Sequence, residues 1–172
     1  MRRLLSRIPV LLLLLLLASC GNAGDQSAGS AMPEQMPEDF AFSVQFGITA
    51  KNEINTFAGT VTKDLVSQGT ATANLILNES ELAEIYSRMR DLQVMGELKL
   101  DTATMGCAQI PYDEEHWRIR ADGEEVLWSW SEERCRVTED AEKLKALREY
   151  VLGLVKTKTA YLELPEASGG YD

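Results

Sequence analysis

Histidine and basic residues are scarce in this chain. It has one histidine, His116, and 17 lysines and arginines against 27 acidic residues, a formal net charge of −10. One imidazole cannot complete the usual zinc ligand set. Few cations also disfavour nucleic-acid binding, whose affinity comes largely from basic side chains that displace phosphate counterions. The sequence therefore predicts no metal site and no nucleic-acid partner.

The familiar catalytic motifs are also missing. The sequence contains no glycine-rich phosphate loop, no HExxH pair and no nucleophile elbow. Carboxylate pairs are too numerous to be judged from sequence, so an acidic enzyme stays open as an alternative. We predict no catalytic residue and no cofactor, and a protein that is not an enzyme.

The chain has one long apolar run, from Ile8 to Ala18. It is too short to span a bilayer, which needs about 20 apolar residues. Three arginines precede the run and small residues follow it, which is the three-part layout of a secretory signal. We predict that residues 1–19 are a signal peptide.

The end of this run, Leu17-Ala18-Ser19-Cys20, closely resembles the lipobox of bacterial lipoproteins. The resemblance implies cleavage before Cys20 and attachment of lipid to its sulfur. Each buried methylene contributes about 0.8 kcal/mol, so two or more acyl chains would hold the protein stably at a membrane. We expect a lipid-anchored protein on the extracytoplasmic face of a bacterial membrane. The alternative is an ordinary thiol at Cys20.

Composition divides the rest of the chain in two. Residues 20–38 are rich in Gly, Ala, Ser and Pro without periodic apolar positions, which predicts a flexible tether. Residues 39–172 suit a single domain with a mobile C-terminal tail. Loss of residues 1–19 would leave 14 basic against 27 acidic residues, a net charge of −13. Membrane association would then come from the lipid, since a basic face is not available.

Periodicity predicts the elements of the domain. Alternating apolar positions predict strands in 40–48, 54–65 and 70–77. In the second of these, Phe57 and Val61 are expected to share one face. Spacings of three and four residues predict helices that begin after the caps Asn78 and Thr138. The sequence therefore predicts an α+β fold, with an antiparallel sheet of five or six strands covered by two helices.

A hairpin is predicted around Asp122-Gly123, a pair that suits a two-residue type I′ turn because both positions need positive φ. This turn sets Trp117 opposite Trp128 and His116 opposite Ser129. It thereby explains why the histidine and the tryptophans lie in this segment, without any ligand.

Two cysteines, Cys107 and Cys135, lie on the arms beyond the open end of this hairpin. An even pair on the oxidising side of a membrane predicts one disulfide, which would contribute about 3–4 kcal/mol.

An acidic segment, DEEH at 113–116, precedes the hairpin. Weak calcium binding is one interpretation. Adjacent side chains in a strand or loop diverge, however, so we favour a solvated acidic loop.

Four segments, DFAFSVQFG, NTFAGTVTKDL, ELAEIYSRM and LPEASGGYD, together with the two cysteines of the domain, resemble an uncharacterised family of small bacterial envelope lipoproteins. The family has no assigned activity. The order of strands, helix, hairpin and closing helix is also similar to emfourin-type metalloprotease inhibitors.

The missing catalytic motifs, beside a compact tethered domain, favour a non-catalytic module that binds an unidentified envelope or secreted protein. A protease inhibitor is its sharpest form. The alternative is a small envelope enzyme or a weak metal- or small-molecule-binding protein.

Overall fold

The computed structural model describes residues 31–101 and 107–171. Six strands and three helices lie within these two ranges. In chain order they are β1 (Ala41–Ile48), β2 (Asn52–Asn55), β3 (Thr60–Asp64), β4 (Thr70–Asn74), α1 (Glu79–Asp91), β5 (Asp113–Ala121), β6 (Glu124–Ser131), α2 (Glu139–Val155) and α3 (Thr159–Leu162). The predicted α+β fold is confirmed.

The strands form one antiparallel sheet in the order β4-β3-β2-β1-β5-β6. β1 to β4 form a meander, in which each strand pairs with the next one along the chain. The chain then crosses back through α1, so that β5 pairs with the free side of β1 and β6 pairs with β5. β4 and β6 are therefore the two edges of the sheet.

The segment 54–65 contains parts of two strands, and our prediction of one strand was wrong. β2 ends at Asn55, whose side-chain oxygen accepts the N–H of Ala58 at 3.0 Å. Such a local bond offers the backbone a turn in place of the strand ladder. As a consequence Val61 is buried in the core, whereas Phe57 lies under the guanidinium groups of two β5 arginines.

One face of the sheet is apolar and packs against the two long helices. Alternate residues of the central strands are fully buried there, because successive side chains of a strand point to opposite faces. The core contains Phe42, Val44, Ile54, Val61, Trp117 and Ile119 from the sheet, with Ile85, Met89, Leu144, Leu147, Val151 and Val155 from α1 and α2. The opposite face of the sheet, which we call the open face, is mostly polar.

Both long helices begin at the predicted caps. Asn78 and Glu81 form a reciprocal capping box at the start of α1, and Thr138 accepts the N–H of Ala141 at the start of α2. These contacts satisfy N–H groups that would otherwise lack a partner in the first turn.

The residues before β1 pack against α1. Met32 is buried, the Tyr86 hydroxyl donates to the carbonyl oxygen of Pro33 at 2.6 Å, and Arg90 donates to that of Glu34 at 2.7 Å. Part of the segment predicted as a tether therefore lies against the domain.

The C-terminal segment contacts the β3–β4 turn. Ser67 donates its backbone N–H to the carbonyl oxygen of Ser168 at 3.1 Å, and the Tyr171 hydroxyl donates to the buried carboxylate of Asp64. These contacts lie on the β4 side of the molecule. The mobility of this tail stays a prediction.

Candidate functional site

The β5–β6 hairpin has the register predicted from its turn. Trp117 lies opposite Trp128 and His116 opposite Ser129. The tryptophans face the helices, while the His116–Ser129 pair lies on the open face. The hairpin therefore carries one apolar and one polar surface to the edge of the sheet.

The hairpin turn is tied to the start of β1. Asp122 and Gly123 have φ of 53° and 76°, as a type I′ turn requires. The carboxylate of Asp39 accepts the N–H groups of both residues, at 2.9 and 2.8 Å. These hydrogen bonds hold the pKa of Asp39 below its usual value, and the bond from Gly123 has the largest effect.

The outward backbone groups of β6 have no backbone hydrogen-bond partner among the described residues. Glu132 donates its N–H to the carbonyl oxygen of Asp113 at 2.8 Å, which sets the phase of the antiparallel ladder. Even-numbered residues of β6 bond to β5, so the odd-numbered ones turn their N–H and C=O groups away from the sheet. These residues are Glu125, Leu127, Ser129 and Ser131. Within 31–101 and 107–171, no backbone hydrogen bond occupies these groups.

A groove of about 770 Å³ runs along this edge. It is lined by Leu98–Asp101 and Trp128–Ser131, together with Glu133 and Arg134. We call it the edge groove. Leu98 and Leu100 pack against the core, and Trp128 is fixed by a hydrogen bond of 2.7 Å to the carbonyl oxygen of Val94. The groove therefore places apolar residues next to the outward backbone groups of β6.

The sequence of β6 lacks lysine and proline, which commonly shield an edge strand, and its only charged residues are the two glutamates at its start. It reads EEVLWSWS, and the side chain of Leu127 is 70% exposed. Natural sheets blunt their edges with lysine and proline because an open edge is a template for pairing with another chain. β6 is therefore less protected against pairing than most edge strands.

The predicted disulfide joins Cys107 to Cys135, with their Cα atoms 5.8 Å apart. Beside it, Gln109 donates its backbone N–H to the carbonyl oxygen of Glu133 at 3.0 Å and its side-chain amide to that of Glu132 at 2.9 Å. The arm that precedes β5 is thereby tied to the chain just after β6.

A buried ion pair fixes β5 against α2. The carboxylate of Glu115 is 1% exposed and lies 2.8 Å from Nε of Arg148. Its other oxygen accepts the indole N–H of Trp117 at 3.0 Å. Burial raises the pKa of Glu115, although Arg148 and the nearby indoles oppose this shift. The indole N–H of Trp130 is buried beside it and makes no normal hydrogen bond among the described residues.

The position of Glu115 overturns part of our interpretation of 113–116 as a solvated acidic loop. The segment begins β5, and its residues alternate between the two faces of the sheet. Glu115 is in phase with Trp117 and Ile119, which both face the core. That phase was visible in the sequence and could have identified the buried carboxylate.

His116 lies in a short polar row on the open face. Its Nδ1 is 3.0 Å from the hydroxyl of Ser129, and its Nε2 is 3.5 Å from the carboxylate of Glu114. A hydroxyl, an imidazole and a carboxylate in contact are the groups that nucleophilic catalysis uses. The imidazole is 43% exposed, however, and electrostatic stabilisation of a transition state is weaker in contact with water.

The remaining predicted sites concern metal and membrane. In the described part of the chain, no cluster of three or more His, Cys, Asp or Glu side chains could hold a metal ion. Cys20, with the predicted lipid, lies outside the described residues. Among the helices of 31–101 and 107–171, none has the length and apolar character needed to cross a membrane.

Comparison of the chain with protein-family models, with curated proteins and with solved structures finds no match.

Proposed function

We propose that this protein is a lipid-anchored, non-catalytic module that binds another envelope or secreted protein by adding a strand of that partner to β6. Extended segments bind other proteins in this way, with affinity from main-chain hydrogen bonds and specificity from alternate side chains. The observation that carries the proposal is the row of outward N–H and C=O groups of β6 beside the edge groove, which have no backbone partner in residues 31–101 and 107–171.

The rigidity of the hairpin supports this proposal. Its turn is held by Asp39, its first strand by the Glu115–Arg148 pair, and its open end by the Cys107–Cys135 disulfide. A preorganised site loses little conformational entropy when a partner binds. The lipid on Cys20 would keep this site at the membrane surface.

The test is affinity capture with edge-blocked variants of the full-length protein, expressed in its native bacterium. Ser129→Pro removes one outward N–H, a change that edge strands tolerate. Ser129→Ala keeps that N–H and removes only the hydroxyl. Thr72→Pro is the matched control on β4, where the hydrogen bond from Leu65 N–H to Gly69 O places even-numbered residues outward.

We expect a partner that wild type, Ser129→Ala and Thr72→Pro capture and that Ser129→Pro loses. Leu127→Lys, which puts a charge on the edge without touching its N–H, provides a second block if the proline variant folds poorly. Capture that persists in both blocked variants would overturn the proposal. If the captured partner is a secreted protease, bound at equal stoichiometry and inhibited, the protein would be a protease inhibitor.

The row of Ser129, His116 and Glu114 favours a second candidate function, hydrolysis of an ester or amide. A covalent serine-hydrolase probe tests it directly. Labelling of wild type that Ser129→Ala and His116→Ala abolish would support an enzyme. An unlabelled, well-folded protein would remove this candidate.

A further inference from the structure

A strand bound in the edge groove would have one row of side chains on the helix side of the sheet and the other row on the open face, in water. These two environments restrict which sequences can bind. We infer that the edge groove selects extended, non-acidic segments with apolar residues at every second position. This inference rests on the proposed function and names the class of segment that β6 would pair with.

The apolar residues that line the groove are Trp128, Trp130, Leu98 and Leu100, and the two tryptophans are on the helix side of β6. A strand added to β6 would keep the pleat of the sheet, so its side chains would alternate between the two sides. Those that point to the helix side would enter the space beside Trp128 and Trp130, in the groove that Leu98 and Leu100 also line. Polar side chains would lose their water there without a partner, which costs free energy.

The open side of the groove is in water. The neighbouring side chains of β6 on that face are Leu127, Ser129 and Ser131, and none of the three is buried. Intervening residues of an added strand would stay solvated there, so polar side chains are tolerated. The ligand pattern is therefore apolar and polar in strict alternation.

The length of β6 sets the length of the ligand. The strand has eight residues, and its four outward positions recur at every second residue. In a ladder, every second residue of each strand forms hydrogen bonds with the neighbouring strand. A ligand that pairs with all four outward positions therefore spans about eight residues.

Charge adds a second condition. Asp101 and Glu133 line the groove beside Lys99 and Arg134, so its own charges balance. Without residues 1–19, the chain has 14 basic and 27 acidic residues, a net charge of −13. Its field repels acidic segments and favours the approach of neutral or basic ones.

Such segments are amphipathic strands. In a folded protein they are paired within a sheet, so they are accessible only at a sheet edge or before the sheet is complete. The partner class is therefore a protein that presents an unpaired amphipathic strand on the same side of the membrane.

Synthetic peptides test this inference on the purified protein. The probe is a labelled ten-residue peptide that alternates valine with threonine, with lysine at two of the threonine positions. One control has the same residues with its valines at helical spacing, and another has glutamates in place of the lysines. Binding is measured by fluorescence anisotropy, and Ser129→Pro and Thr72→Pro are run beside wild type.

We expect the alternating peptide to bind wild type and Thr72→Pro, and to bind Ser129→Pro about tenfold more weakly or not at all. The helical-spacing control should bind wild type about tenfold more weakly, since only alternation places the valines on one side. The glutamate peptide should also bind more weakly than the lysine peptide.

Equal binding of the alternating and helical-spacing peptides would overturn the inference, as would undiminished binding to Ser129→Pro. The proposed function fails separately, when the native partner is still captured by the edge-blocked variants. An alternating peptide that does not bind, beside a partner lost from Ser129→Pro, would overturn the inference alone.

Discussion

The two edge strands of the sheet differ in construction and in surroundings. β4 has five residues of sequence TATAN, and α3 and the C-terminal segment lie near it. β6 has eight residues and is rich in aromatic side chains. Its hairpin is fixed by the Glu115–Arg148 ion pair and by the Cys107–Cys135 disulfide.

This difference shows that the open edge of β6 does not follow from weak local structure. The edge with the groove belongs to the more firmly held hairpin, as expected for a preorganised binding site. The β4 edge is short, small in side-chain volume and next to the chain terminus. The predictions below test this contrast, beginning with the largest expected effect.

Loss of the Glu115–Arg148 ion pair should lower the free energy of unfolding more than any other change. Arg148→Met leaves the carboxylate of Glu115 buried without a cation, which costs about 3–5 kcal/mol of unfolding free energy near neutral pH. The pKa of Glu115, already raised by burial, should rise further. A group whose pKa is higher in the folded state stabilises the fold at pH values below its unfolded-state pKa. This contribution is lost as the pH rises through the folded-state pKa. The deficit, measured by urea unfolding, should therefore be smaller at pH 5 than at pH 8.

Lys63→Met is the matched change on the β3–β4 side. Lys63 pairs with Glu166 at 3.2 Å, and the glutamate side chain is 92% exposed. Exposed pairs contribute little, so the loss should stay below about 1 kcal/mol. Equal losses in Lys63→Met and Arg148→Met would remove the contrast between the two sides.

The disulfide should have the next largest effect. Cys107→Ser with Cys135→Ser frees a loop with a sequence separation of 28 residues. We expect a loss of about 3–4 kcal/mol, measured by thermal or urea unfolding, because the unfolded chain gains conformational freedom. A double variant as stable as wild type would show that the disulfide does not strengthen this side.

The C-terminal contact should contribute less. Tyr171→Phe removes the hydroxyl that donates to Asp64 and that accepts from Lys51 at 3.2 Å. We expect a loss of about 1.5–2 kcal/mol of unfolding free energy, because the buried carboxylate of Asp64 loses a hydrogen-bond donor. A loss as large as that of Arg148→Met would contradict the description of this side as the weaker one.

The hairpin turn should show its effect as a pH dependence. The pKa of Asp39 is lowered by backbone N–H groups, first that of Gly123. A carboxyl with a lowered folded-state pKa stabilises above its unfolded pKa, and that stability is lost as pH falls through the folded pKa. Asp39→Asn should therefore weaken the fall in melting temperature on acidification below about pH 4. An unchanged pH profile would contradict this role.

Local signals in the sequence were sufficient for several elements. The Asp122-Gly123 turn set the register of the hairpin, because a two-residue loop leaves one pairing. The capping residues Asn78 and Thr138 likewise marked the starts of both long helices. In these cases the determining contacts lie within a few residues along the chain.

The free edge and the buried carboxylate were not predicted, since both depend on distant contacts. That β6 is an edge follows from the pairing of β5 with β1, which joins segments far apart in the chain. Glu115 is buried because Arg148, 33 residues later, neutralises it. A carboxylate in sequence is usually assigned to solvent, and only the strand phase indicated otherwise.

The most direct measurement is amide hydrogen exchange of β6, free and in complex with the captured partner. We predict slow exchange at Val126, Trp128 and Trp130 in both states. The outward amides of Leu127 and Ser129 should exchange fast in the free protein and slowly in the complex. Outward amides that still exchange fast in a saturated complex would contradict strand addition at β6.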